Sequence, residues 1–256
     1  MERLIDSLNQ WGEPLLTEQL LVRANYWIVD SLVATDYYTL MEKGIFSYDQ
    51  RDLRILKKGD TLFVPGPDQI ISLQEKINET RLDLNIPEFR LRIIEKEEVL
   101  YSLLVRVGRN SARYLELIHR IEDNRTKVGQ GKIVRVEKNP TFIDPETAKR
   151  YKLTNRDDGK RTRTPLIPWL EPEINGQRHG QLIHPTTNPK TLGKAYSNGC
   201  IGLSEGDAWR VYYHAPVGTR IKIRYDLEIE NAEQQIISLP DIYHKFTMPQ
   251  KTPEIN

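Results

Sequence analysis

Between residues 84 and 107 apolar side chains return at every second position, a period that confines this stretch to extended chain with one face buried. Phe89, Leu91 and Ile93 alternate with Arg90, Arg92 and Ile94; after the turn at residues 95–98 (EKEE), Val99, Tyr101, Leu103, Val105 and Val107 resume the alternation up to Gly108. The pattern predicts a β-hairpin in a half-buried sheet. Ile133, Val134 and Val136 predict another strand, stopped at Asn139-Pro140-Thr141 because proline has no N–H to give a ladder. Arg220–Arg224 (RIKIR) alternates as well and is expected to close the sheet. The core expected from these patterns is Phe89, Leu91, Ile93, Leu103, Val105, Ile183, Leu203, Ile221 and Ile223.

Upstream the signals change. Tyr26–Val29 (YWIV) is β-branched and aromatic and reads as a strand, Asp36–Lys43 as a helix closed by Gly44, Asp49–Leu56 as a second helix, and Thr61–Val64 as a strand closed by Pro65. This βααβ order, ending in LKKGDTLFVPG, resembles a degenerate LysM module, which implies binding to glycan strands of peptidoglycan. An accessory unit that only packs on its neighbour fits the same order. Pro65-Gly66-Pro67 marks its end, and Asp68–Leu82 is amphipathic enough for a connecting helix. The division expected is therefore an α+β unit over 1–82, a mainly β domain over 83–226, and a polar extension over 227–256 that lies on the surface.

Composition narrows the function. Lys and Arg total 37 against 36 Asp and Glu, a formal charge of +1, which lacks the electrostatic footprint of a general nucleic-acid binder. The longest apolar run, Val99–Val107, falls far short of the roughly 20 residues of a membrane span. No basic stretch leads into an apolar one near the N-terminus, so no secretory signal is read there. A single cysteine, Cys200, excludes an internal disulfide and any site built from several thiolates. None of the five histidines has partners at metal-ligand spacing, so neither a metal nor another cofactor is expected.

A lone cysteine is either packing or chemistry, and its neighbours decide which. Residues 181–223 (QLIHPTTNPKTLGKAYSNGCIGLSEGDAWRVYYHAPVGTRIKI) deliver His184 on an apolar stretch and, sixteen positions on, Ser197-Asn198-Gly199-Cys200. Small and polar residues before Cys200 are poor core material and good material for an exposed turn. A thiol attacks as thiolate and needs a base or cation beside it, for which His184 is the candidate. Gly199 leaves room for a substrate, and its N–H with that of Cys200 forms a candidate oxyanion site.

These segments resemble the L,D-transpeptidases of the YkuD (ErfK/YbiS/YcfS/YnhG) type. The family's IHGT-like segment corresponds to Ile183-His184-Pro185-Thr186. Its Ser-x-Gly-Cys-Ile-Arg-Leu stretch corresponds to Ser197-Asn198-Gly199-Cys200-Ile201-Gly202-Leu203, its Asp-Ala helix to Asp207-Ala208, and its Val-Gly-Thr to Val217-Gly218-Thr219. Residues 85–91 (NIPEFRL) and 105–109 (VRVGR) are similar to the family's opening hairpin, and residues 138–142 (KNPTF) to its Asn-Pro-Thr-Trp element. The resemblance covers roughly residues 84–225. It implies a β-sandwich-like catalytic domain with a mixed sheet and a short helix after the cysteine.

It also implies chemistry. Cys200 attacks the L,D bond of a peptidoglycan tetrapeptide stem, releases D-Ala and passes the acyl group to an amine of a neighbouring stem, a 3→3 cross-link, with His184 as base and acid. Water as acceptor gives an L,D-carboxypeptidase, and loss of activity gives a wall-binding protein. Either way the location implied is the cell envelope, in the periplasm. The carbonyl of Pro185, with Ser197, Asn198 and Gly199, supports the imidazole and the oxyanion; Thr186, Tyr196, Gly202, Lys194 and Arg210 are candidate substrate contacts. Two positions depart from the family: Asn198 stands where many members carry His, and Gly202 where Arg or Asn is common. The missing charge at Gly202 leaves Lys194, Arg210 or Arg163 to hold a substrate carboxylate. The polar segment 144–163 reads as a lid over the cleft or as a solvated loop.

Overall fold

The computed structural model describes residues 2–11, 15–115, 120–143, 149–231 and 233–244. His119, the start of the 144–163 segment and the end of the polar extension lie outside them.

The chain opens with helices α1 (Glu2–Leu8), α2 (Glu18–Ala24), α3 (Trp27–Val33), α4 (Tyr37–Glu42) and α5 (Pro67–Asn78). Thr17 caps α2 by accepting from Leu20 N–H, and Asp36 caps α4 by accepting from Tyr38 and Thr39 N–H. A meander follows, β1 (Thr80–Asn85), β2 (Arg90–Glu95) and β3 (Glu98–Leu104), and then the short β4 (Val107–Gly108). Next come the hairpin β5 (Ala112–Leu115) and β6 (Arg120–Asp123), the long β7 (Gly129–Glu137), and the hairpin β8 (Leu153–Asn155) and β9 (Arg161–Arg163). β10 (Trp169–Ile174), β11 (Gln177–Arg178), β12 (Ile183–Pro185), β13 (Ala195–Ser197) and β14 (Ile201–Leu203) lead to helix α6 (Glu205–His214). β15 (Arg220–Arg224) and the hairpin β16 (Glu228–Glu230) and β17 (Ile236–Ser238) end the described chain.

The main sheet has the order β14-β12-β10-β7-β15-β1-β2-β3, with β11 added on β10. It is mixed: β12/β14 and β1/β15 run parallel and the remaining neighbours antiparallel. The two ends of this order meet, because Arg106, just past β3, forms an antiparallel bridge with Gly202 of β14. The sheet thus curls back on itself around the core, and the mainly β class expected from the alternation is what the chain forms. Of the nine expected core residues, eight are buried; Phe89 is half-buried, a turn residue at φ +54° ahead of β2.

Six local expectations are corrected. Tyr26–Val29 is helical, within and just before α3: its apolar residues Ile28 and Val29 pack in the same core as Val22 of α2, where a helix face buries them as well as a strand would. Asp49–Leu56 holds only a 3-10 turn at Gln50–Asp52, and Thr61–Val64 pairs with no strand; Asn25 takes up the Phe63 N–H and C=O instead. The N-terminal part is therefore helical rather than βααβ, and the strands that carried the LysM-like reading are not formed. β15 does not close the sheet but lies inside it between β7 and β1, which its buried Ile221 and Ile223 require. Val99 is exposed because the β2–β3 ladder slips: Ile93 faces Tyr101 and Ile94 faces Val99, so one extra residue on β3 reverses the face presented before it. The connecting helix ends earlier than Leu82, which belongs to β1.

The helices are welded to α6 by buried polar groups. Glu205 accepts from Tyr37 N–H (3.1 Å) and from Gln50, and its other oxygen lies 2.9 Å from Arg156 Nη2; Asp36 accepts from Gly206 N–H (2.9 Å). No described helix is long and apolar enough to cross a membrane.

His214, at the end of α6, is buried edge-on against Tyr26 and Tyr101, and its Nδ1 bonds to Arg210 O (2.7 Å). Burial first, then the Arg23 charge, holds its pKa down to about 4. The neutral ring is favoured in the fold while the unfolded chain takes a proton near pH 6.5, so stability is full above that and falls as pH drops toward about 4. The loss is roughly 3 kcal/mol. Urea midpoints of the wild type should fall across this window, and His214→Phe should make the decline smaller by about its own share, the rest belonging to His184, whose pKa is also held down to about 4.

Candidate active site

β12 and β14 run side by side with Ile183 opposite Ile201, His184 opposite Gly202 and Pro185 opposite Leu203. Successive side chains on a strand alternate, so Ile183, Pro185, Ile201 and Leu203 enter the core while His184 and Gly202 face the other way. The pairing continues one step back: Ile201 N–H donates to Leu182 O (2.8 Å), and Leu182 N–H points at Cys200 Sγ (3.4 Å). Two residues before Gly202, Cys200 shares the outward face of His184 on the adjacent strand.

The turn into Cys200 is held from several sides. Ser197 Oγ donates to Cys200 O (2.6 Å) and accepts from Gly199 N–H (3.2 Å), while Thr126 Oγ1 donates to Gly199 O (3.0 Å). Gly199 has φ +105°, and a Cβ there would meet Gln181 Nε2 at 2.5 Å, so conformation and packing both demand glycine. Gln181 is itself fixed, donating to Arg125 O (2.9 Å) and accepting from Lys127 N–H (2.9 Å).

His184 Nδ1 lies 2.8 Å from Pro185 O. A carbonyl only accepts, so Nδ1 carries the hydrogen and Nε2 keeps its lone pair. Trp169 lies against the imidazole with ring centroids 5.6 Å apart, and Phe142 packs edge-on to Trp169 at 5.0 Å. Burial, then the charge of Arg106, lowers the His184 pKa to about 4, against the opposing bond to Pro185. Burial pushes the Cys200 thiol up, opposed by Leu182 N–H and by Arg106. Both shifts favour the uncharged forms, a neutral thiol and a neutral imidazole.

The other candidates divide. Tyr196 and Lys194 are exposed on and beside β13, near the turn into Cys200, and Asn198 is exposed and accepts from Arg109 Nη2 (2.5 Å). Thr186 is buried and occupied within its own loop, its N–H on Leu203 O (2.7 Å) and its Oγ1 accepting from Asn188 N–H (3.1 Å). Arg210 belongs to another neighbourhood, paired with Asp207 (2.6 Å) and lying over Tyr101 (5.4 Å). Arg163 pairs with Asp49 (3.2 Å) and lines a cleft with Phe142, Arg150, Tyr151 and Lys152. The β8–β9 hairpin is docked beside the strand that carries His184: Thr154 and Thr187 hydroxyls lie 3.1 Å apart, and Lys190 N–H donates to Asp157 (2.8 Å).

Sequence reasoning missed Arg106, Trp169, Thr126 and Gln181. A charged residue between two core valines was the only hint of Arg106, and the other three are joined to the motif by long-range contacts alone.

The model for the YkuD family, described as an L,D-transpeptidase catalytic domain, matches residues 79–223. No curated protein matches this chain. Solved structures to which the chain is similar include the L,D-transpeptidase (residues 123-326) from Xylanimonas cellulosilytica DSM 15894, 13% identical, with 62% of this chain and 70% of that one covered and a TM-score of 0.41. Others are the L,D-transpeptidase (Yku) from Stackebrandtia nassauensis (17% identical, 58% and 56% covered, TM-score 0.39) and L,D-transpeptidase 1 of Mycobacterium tuberculosis (16%, 57% and 61%, TM-score 0.36). This chain thus spans less than two thirds of the latter two. Since the family match extends over more than half of its residues, the chain belongs to the YkuD family of L,D-transpeptidase catalytic domains.

Proposed function

We propose that this protein is a peptidoglycan L,D-transpeptidase with Cys200 as nucleophile and His184 as general base and acid. The observation that carries the reading is the shared outward face of the two side chains on adjacent strands, with imidazole Nδ1 committed to Pro185 O and Nε2 left to take a proton. Cys200 Sγ attacks the carbonyl of the bond to the terminal D-Ala of a tetrapeptide stem as its proton passes to His184 Nε2. The Cys200 N–H faces the developing oxyanion; the Gly199 N–H is turned to Ser197 Oγ instead. Collapse of the tetrahedral species breaks the C–N bond, the imidazolium returns the proton to the departing amine, and a thioester remains. The side-chain amine of a neighbouring stem then attacks the thioester and gives up its proton through His184 to the sulfur, which closes the cycle with a 3→3 link. Such a substrate lies in the cell envelope, and the proposal carries that location with it. Exposed Tyr196 and Lys194, beside the turn, are the substrate contacts we retain from the candidates.

Incubation with tetrapeptide muropeptides followed by mass analysis tests the reading. A cross-linked dimer with loss of D-Ala is expected from the wild type and none from Cys200→Ala. A tripeptide without dimer would instead assign the L,D-carboxypeptidase reaction. No product, together with no covalent adduct of Cys200 on incubation with a carbapenem, would leave a wall-binding protein without this activity.

A further inference from the structure

His184, Gly202 and Arg106 form one row across three neighbouring strand segments. Gly202 pairs with His184 on one side and with Arg106 on the other, where Arg106 N–H donates to Gly202 O (2.9 Å) and Gly202 N–H to Arg106 O (3.0 Å). Residues paired in register share a face, so the Arg106 side chain crosses the space above Gly202 on the side where Cys200 and His184 lie. A Cβ at position 202 would fall 2.5 Å from Arg106 Nε and 2.7 Å from its Cγ. The guanidinium stem therefore occupies the volume that a side chain at position 202 would fill. Its Nη1 is 3.3 Å from Thr191 Oγ1, and its Nε is buried without a hydrogen-bond partner among the described residues.

We infer that Arg106 is a positioning residue that supplies the positive charge for the Cys200 thiolate, and that Gly202 lacks a side chain in order to admit it. The inference deepens the proposed reaction, since it rests on Cys200 being its nucleophile. The titratable groups that face Arg106 are Cys200, Tyr196, Asp157 and Tyr151; Arg106 in turn is the charge that acts on both Cys200 and His184. Asp157 is engaged by Lys190 N–H (2.8 Å). A cation in this place favours thiolate and disfavours imidazolium, so its removal has a signature that a packing residue lacks: both titrations move upward together.

The test needs no wall peptide. Iodoacetamide alkylation of the full chain, read by intact mass from pH 4 to 10, reports Cys200 alone because it is the only cysteine. Arg106→Met should shift the thiol titration upward by about one unit, which slows alkylation near neutral pH about tenfold, and should raise the His184 titration followed by NMR above its wild-type value. Arg106→Lys should keep the wild-type profile. Gly202→Ala, in which the arginine is present but displaced, should follow Arg106→Met, and it decides the matter if Arg106→Met does not fold. An unchanged iodoacetamide profile in a folded Arg106→Met or Gly202→Ala protein overturns the inference, even if the rate with iodoacetate drops, because that result assigns Arg106 to carboxylate binding. Absence of cross-linking with muropeptides would refute the proposed reaction while leaving the alkylation result to stand by itself.

Discussion

Replacing His184 by glutamine is expected to slow acyl transfer by about 10²–10⁴, the usual contribution of a positioned general base. The glutamine amide can still donate to Pro185 O, so the loss would come from the missing lone pair at Nε2 rather than from a collapsed loop. The pH profile separates these causes. In the wild type the imidazole is held neutral down to about pH 4 by burial and by Arg106, so the rate should hold through pH 5 and fall only as the ring takes its proton. The variant should show a low rate without that acid limb. Single-turnover formation of the Cys200 thioester or carbapenem adduct, followed by mass across pH 3–8, measures both. A variant that acylates at the wild-type rate would remove His184 from the mechanism.

Arg156→Met should destabilise the fold by about 3–5 kcal/mol, the cost of leaving one member of a buried ion pair without its partner. Arg156 and Glu205 are 1% and 2% exposed, and burial raises the Glu205 pKa against the pull of Arg156. Arg156 also donates from Nε to Thr162 Oγ1 (2.7 Å), and its guanidinium lies over the Tyr37 ring at 4.0 Å. These contacts tie the β8–β9 hairpin, the helical N-terminal part and the first turn of α6 into one unit. Glu205→Gln on top of Arg156→Met should recover part of the loss, because a neutral amide needs no counter-charge and still accepts from Tyr37 N–H. Urea midpoints of the two single variants and the double variant give the coupling directly. A folded Arg156→Met protein within about 1 kcal/mol of the wild type would contradict the account.

Much of this molecule could be read in one dimension, and the reasons are local. Alternation at Leu91–Ile93 and Leu103–Val107 specified strands because a pleat exposes every second side chain, whatever lies above it. Gly199 ahead of Cys200 marked a turn that only glycine accommodates, and the YkuD motifs marked the family. The N-terminal part was not legible in the same way. Tyr26–Val29 carries strand-like residue types, yet Ile28 and Val29 bury equally well from a helix face, and the contacts with α6 and the core decided in favour of the helix.

By itself the sequence singled out Cys200 and His184 as the candidate pair, because the period-two pattern and the glycine turn around them act over a few neighbours. Only the tertiary structure decided what surrounds them. Arg106 meets Gly202 because the ends of the sheet order close on each other, Trp169 meets His184 across β10 and β12, and Thr126 reaches the carbonyl of Gly199. Each of these contacts joins segments far apart along the chain, and hydrophobic periodicity encodes which face of a strand is buried, not which distant strand will lie beside it.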